Sequence, residues 1–131
     1  MVACEITKIR KIRKLYLVGS ATCKEEISSF LAALRPLVNI APIDWLQFSA
    51  GKIPTDLAQM FTSIDASFVR AMCAAVFHWE GIGLTPVHVV RIHGRHDLII
   101  PPPGAVDLLI DGGHLISMSH ARECTEFIRG G

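Results

Sequence analysis

Two short apolar runs, each ending in a glycine-containing turn that carries an ionisable side chain, constrain this chain more than any other feature. Val87-His88-Val89-Val90-Arg91-Ile92 leads into His93-Gly94-Arg95-His96-Asp97, and Val106-Asp107-Leu108-Leu109-Ile110 leads into Gly112-Gly113-His114. Apolar runs of this length bounded by turn formers read as buried strands. If the two strands are parallel neighbours, their C-terminal ends lie about 4.8 Å apart. A carboxylate and an imidazole leaving the same sheet edge then share a hydrogen bond. Such a pair orients a histidine and stabilises its protonated form, as the base of a nucleophilic hydrolase requires.

The rest of the chain alternates helix and strand. Val2, Ile6 and Ile9 recur at i, i+4 and i+7, one face of a helix. No capping residue or loop precedes it, so the chain is expected to begin inside that helix. A strand follows from Leu15 to Val18, ending at Gly19-Ser20. Thr22-Cys23-Lys24-Glu25 has the form of a capping box, opening a helix with Ile27, Phe30, Leu31 and Leu34 on one stripe until Pro36. Residues 37–64 are less regular, punctuated by Pro42, Gly51 and Pro54. Trp45, Leu46 and Phe48 there read as packing under a loop, with a mobile cover over a pocket as the alternative. Asp65 to Trp79 reads as a helix on the spacing of Phe68, Met72, Val76 and Trp79, ended by Gly81-Ile82-Gly83. A last helix starts near Ser119, buries Cys124, Phe127 and Ile128, and stops at Gly130.

This order predicts an α/β fold: a parallel sheet of strands near 15–18, 87–92 and 106–110, joined by right-handed crossovers. The apolar runs suit strands buried on both faces. The connection from Ile92 to Val106 is short and holds Pro101-Pro102-Pro103, which suits a full crossover helix poorly.

A length of 131 residues allows one domain, smaller than a complete sheet-based enzyme usually needs. With half the residues hydrophobic and a net charge of +1, a folded soluble domain is expected, with no nucleic-acid partner. Lys8, Arg10, Lys11, Arg13 and Lys14 precede Leu15-Tyr16-Leu17-Val18 and mimic a signal peptide, but the apolar stretch is short of the usual 7–15 or so residues. The cluster reads instead as a solvated helix C-terminus, where cations complement the macrodipole. No run approaches the roughly 18 apolar residues of a membrane span, so no membrane partner is expected. Cys4, Cys23, Cys73 and Cys124 form no C-x-x-C pair and read as small core residues in a reducing cytoplasm.

Among the chemical candidates, Asp111 competes with Asp97 for the acid role, though at its strand end a short aspartate is expected to bond local backbone. His93, His96, Asp97, His114 and His120 supply a possible metal set, but H-x-x-H-D matches no strong zinc signature, and no metal or other cofactor is expected. His78 reads as a helix-end residue and His88 as a sheet residue. Ser20, Ser117 and Ser119 read as turn or cap residues, because none lies in G-x-S-x-G, the elbow that exposes a nucleophile.

These motifs together resemble the C-terminal half of the α/β-hydrolase superfamily, in its small cytoplasmic members. In that family the strand ending H-G-x-x-D supplies the triad acid, matched by His93 to Asp97, and a G-G-H loop supplies the triad histidine, matched by Gly112-Gly113-His114. Lys14 to Ala21 is similar to the family's sixth strand. Residues 24–80 are similar to the variable helical cap, with Asp65 to Trp79 as its last helix or the helix returning to the sheet. The resemblance implies one partial α/β-hydrolase domain over 1–131 with the catalytic pair Asp97 and His114. It implies hydrolysis of a small, hydrophobic ester or related bond by a serine nucleophile. It also places Met1-Val2-Ala3 just past the nucleophile elbow, so the chain is expected to be a C-terminal fragment without the serine or the oxyanion donors. The first strand would then expose an open edge, a route to self-association, and an apolar face would lack its cover. Two other readings stand beside this one: a non-catalytic module that binds a partner chain through that edge, and a metal-dependent hydrolase.

Overall fold

The sheet forms from the apolar runs the sequence marks out. A computed structural model describes residues 1–27 and 65–131 of the chain. Its elements are α1 (Val2–Ile9), β1 (Lys14–Val18), a 3-10 turn (Lys24–Glu26), α2 (Ala66–His78), β2 (His88–Gly94), β3 (Leu108–Ile110), α3 (Ile116–Ser119) and α4 (Ala121–Gly130). The three strands make a parallel sheet in the order β1-β2-β3. Lys14 lies opposite His88 and Val18 opposite Ile92; Ile92 in turn faces Leu108, and Gly94 faces Ile110.

Side-chain alternation along these strands divides the core into two clusters. Leu15, Leu17 and Val87 pack with Cys4 of α1, and Ile12, Trp79, Ile82 and Val89 close around them. Ile92 and Ile110 pack with Ile116 of α3 and Cys124 of α4, joined by Val18, Leu108 and Phe127. Helical elements thus cover both faces, as a parallel sheet of continuous apolar strands requires. Ile92 and Ile116 are fully buried, and each contributes roughly 1.5–3 kcal/mol by leaving water.

The proline-rich connection from β2 to β3 contains no helix. The ladder is carried on instead by Asp107, whose N–H donates to the Arg91 carbonyl (2.9 Å) while its Oδ2 accepts from the Arg91 N–H (2.7 Å).

Several local expectations are corrected. The carboxylate that returns to Thr22 belongs to Glu26, not Glu25: Thr22 N–H donates to Oε2 (2.7 Å) and Thr22 Oγ1 to Oε1 (3.0 Å). Cys23 is extended and Lys24–Glu26 winds as a 3-10 turn, so the fourth residue comes back rather than the third. The stripe Phe30, Leu31 and Leu34, the stretch 37–64, and most of the expected cap over 24–80 lie outside the described residues. In α1 the expected stripe does share one helix face; it points away from the sheet, with Val2 66% and Ile9 77% exposed, while Cys4 and Thr7 face the core. Thr7 tolerates this because its Oγ1 donates to the Cys4 carbonyl (2.7 Å). The C-terminal helix starts at Ala121 after a separate turn, and Ile128 is exposed rather than buried.

The helix expected over 65–79 is present as α2. Asp65 caps α2 by accepting from Ser67 N–H (2.7 Å). Trp79 follows its last turn and donates through Nε1 to Glu5 of α1 (2.6 Å). Lys8 pairs with Glu5, also at 2.6 Å, and Lys14 donates to the Gly131 carbonyl (2.7 Å). No helix among the described residues is long and apolar enough to cross a membrane.

Candidate functional site

The site grows from the register of β2 and β3. With Gly94 opposite Ile110, the two following turns leave the sheet side by side. Arg95 N–H donates to Ile110 O (2.7 Å) and His96 N–H to Gly112 O (2.9 Å). A β-carbon at Gly94 would collide with the Gly112 and Gly113 carbonyls, so the turns meet this closely only because position 94 is glycine. The glycine pair ahead of His114 and the glycine of H-G-R-H-D are two halves of one backbone contact.

That contact brings Asp97 and His114 together. Asp97 is buried. Its Oδ1 accepts from Ile99 N–H (2.9 Å) and Ile100 N–H (2.8 Å), and its Oδ2 contacts His114 Nδ1 at 2.9 Å. Three N–H groups thus compensate the desolvation of one carboxylate, which would otherwise make burial costly. An acceptor at Nδ1 sets the tautomer of the neutral ring: the proton sits on Nδ1, and the lone pair is on Nε2. The His114 side chain keeps partial access to solvent. A histidine in this tautomer, backed by a carboxylate, is built to take a proton at Nε2.

The competing assignments resolve by geometry. Asp111 is expected to bond local backbone; instead its Oδ1 meets His96 Nε2 at 2.8 Å on the surface, and among the described residues it does not bond His114. His93 is fully buried, and neither ring nitrogen has a hydrogen-bond partner among the described residues. Burial pushes its pKa down, helped by the charge of Arg91, against a weaker opposing influence from Asp97. His120 Nδ1 lies 2.8 Å from Ser119 Oγ. The five members of the possible metal set therefore do not converge, and among the described residues no group of three or more histidine, cysteine, aspartate or glutamate side chains is disposed to hold a metal.

His78 Nδ1 meets the Ala74 carbonyl at its helix end, and His88 is exposed at the start of β2. Ser20 Oγ donates to Val18 O (3.1 Å) and Ser119 Oγ to Leu115 O (3.2 Å), which is turn and helix bonding. Ser117 is exposed. No serine, threonine or cysteine among the described residues hydrogen-bonds to His114. Burial raises the thiols of Cys4, Cys23 and Cys124, which makes them poor nucleophiles.

One supporting interaction escapes sequence reasoning. Arg91 grips Glu26 with two parallel bonds, Nη1 to Oε1 and Nη2 to Oε2, both 2.7 Å. Burial alone would push the Glu26 carboxyl up, but the bonds from Arg91 and Thr22 outweigh it and hold the carboxyl below its usual range. The clamp ties the segment after β1 to β2. The available signal was an arginine inside an apolar strand, which needs a carboxylate; nothing local marks Glu26 as that partner.

No protein-family model, curated protein or solved structure matches this chain.

Proposed function

We propose that this chain carries the acid–base part of a serine-type hydrolase of the α/β-hydrolase class, acting on small hydrophobic esters or related bonds. Asp97 orients His114, and His114 takes the proton of a serine and returns it to the leaving group. The observation that carries the reading is the 2.9 Å contact between Asp97 Oδ2 and His114 Nδ1, formed where two parallel strands end. Ligands of open α/β sheets bind outside the carboxyl ends of the strands. The 131 residues contain no G-x-S-x-G elbow, so the nucleophile and the oxyanion donors are proposed to come from other polypeptide. A cytoplasmic setting is part of the proposal and suits the free thiols of Cys4, Cys23 and Cys124.

The test is hydrolysis of p-nitrophenyl butyrate by two proteins: the 131-residue chain, and the longest in-frame polypeptide joining it to an upstream elbow serine. The short chain should show no serine-dependent turnover. In the longer one, His114→Ala should lower kcat by roughly 10²–10⁴-fold, and Asp97→Asn should lower it by up to about 10⁴-fold through the wrong tautomer. A longer protein indifferent to His114→Ala defeats the proposal.

A second reading, a non-catalytic docking module, draws on different observations. The outer edge of β1 pairs with no strand among the described residues, and α1 turns Val2, Ile6 and Ile9 outward. The absence of any in-frame elbow, with concentration-dependent self-association, favours it.

A further inference from the structure

We propose that Gly19 is a positioning residue of the Asp97–His114 site, its bare Cα forming the seat on which the His114 main chain rests. The proposal rests on the acid–base reading above. Gly19 follows β1 directly, and its N–H continues the ladder by donating to Ile92 O (2.8 Å). A β-carbon there would stand 2.7 Å from the His114 carbonyl oxygen and 3.9 Å from Asp97 Oδ2. Its φ of +52° adds a second requirement for glycine.

Topology makes this contact matter. β1 and β3 are separated by β2, so no ladder joins the strand of Gly19 to the strand that leads into His114. The His114 turn reaches across the end of β2 and meets β1 at Gly19. Contact at Gly94 holds this turn on one side, and Gly19 holds it on the other. Neither side yields easily. The clash would be with a backbone carbonyl, and the segment after Gly19 is pinned by the Glu26–Arg91 clamp and by Ile82 N–H donating to Thr22 O (2.8 Å). A side chain at position 19 must therefore lift the His114 main chain and with it the imidazole on Asp97.

The experiment is side-chain NMR of His114 in the ¹⁵N-labelled 131-residue chain, with two readouts, the Nδ1–H tautomer population and the Nδ1–H proton shift. Gly83→Ala is the control, since Gly83 also has a positive φ, +68°, but nothing lies within 4 Å of its β-carbon site. Gly83→Ala should leave both readouts at the wild-type values. Gly19→Ala should move the Nδ1–H proton shift by at least half of the change that Asp97→Asn produces, and weaken the tautomer preference. Gly19→Asn should do the same, because asparagine tolerates positive φ and isolates the steric effect.

Wild-type values of both His114 readouts in either folded Gly19 variant overturn the proposal. So does loss of fold in both while Gly83→Ala folds, which would make Gly19 a requirement of the fold alone. If Asp97→Asn itself leaves His114 unmoved, the acid–base reading fails first, and Gly19 has no pair to position.

Discussion

Two aspartate–histidine pairs cross the same two turns in opposite senses. Asp97 after β2 meets His114 after β3, while His96 after β2 meets Asp111 after β3. Their contacts are nearly equal, 2.9 and 2.8 Å. Their surroundings are not. The side chains of Asp97 and His114 are 0% and 23% exposed, against 82% and 67% for Asp111 and His96. Water screens the outer pair and competes for its hydrogen bonds, so it adds little to stability. The inner carboxylate has traded water for three N–H groups, and losing any part of that set leaves a desolvated group unpaired. Distance alone does not rank interactions; burial and the remaining hydrogen-bond partners do. Arg91–Glu26, at 13% and 20% exposure, stands between the two.

The comparison is most open to being broken at Asp97. Asp97→Ala should destabilise the chain by about 3–5 kcal/mol in urea unfolding, since it orphans the Ile99 and Ile100 amides as well as His114. A loss comparable to that of the surface pair would show that burial does not set the ranking. Glu26→Gln should cost less, about 2 kcal/mol, because the clamp keeps some solvent and the amide retains one acceptor for Arg91. Its pH signature sharpens the assignment. The Glu26 carboxyl is held low in the fold, so its contribution is present above the ordinary glutamate value and is lost as pH falls through the folded pKa. Glu26→Gln should remove that acid-side loss.

His93 predicts a further pH dependence. Burial first, then the Arg91 charge, lowers its pKa in the fold. The unfolded chain therefore binds this proton more readily. Stability should fall as pH drops below the ordinary histidine value of about 6.5 toward the folded pKa. His93→Gln should flatten that part of the profile in urea midpoints measured from pH 7.5 to 5, and an unchanged slope would contradict the lowered pKa. The smallest effect belongs to the surface pair. His96→Ala should change stability by no more than about 0.5 kcal/mol and leave the His114 Nδ1–H tautomer in place. A larger loss would mean that the outer pair also holds the two turns together.

The strands were legible because their apolar runs are continuous and end at turn formers, and α2 was legible from the helical spacing of its apolar residues. Asp97 and His114 stood out as ionisable residues just past strand ends. The sequence favours Asp97 over Asp111 as the partner of His114, whereas where Asp111 itself would bond was not legible. The pairing of Gly94 with Ile110 decided it, by directing Asp97 inward beneath His114 and leaving Asp111 at the surface with His96. The sequence leaves open the direction in which the α1 stripe points, for a related reason. Periodicity finds an apolar stripe but does not tell which neighbour it meets, and the small Cys4 and Thr7 took the sheet side instead.

The sequence by itself determined the elements that depend on near neighbours: strand positions, the parallel α/β order, the start of α2, and the residues able to do acid–base work. Those follow from side-chain period, turn chemistry and capping, all of which act over a few residues. Tertiary structure alone decided the partners. Glu26 and Arg91 are 65 positions apart, and Asp97 and His114 are 17 apart. Which carboxylate lost its water was set by the register of β2 against β3 and the closeness of two glycine-lined backbones. Such contacts are made by chain packing, which a local pattern does not encode.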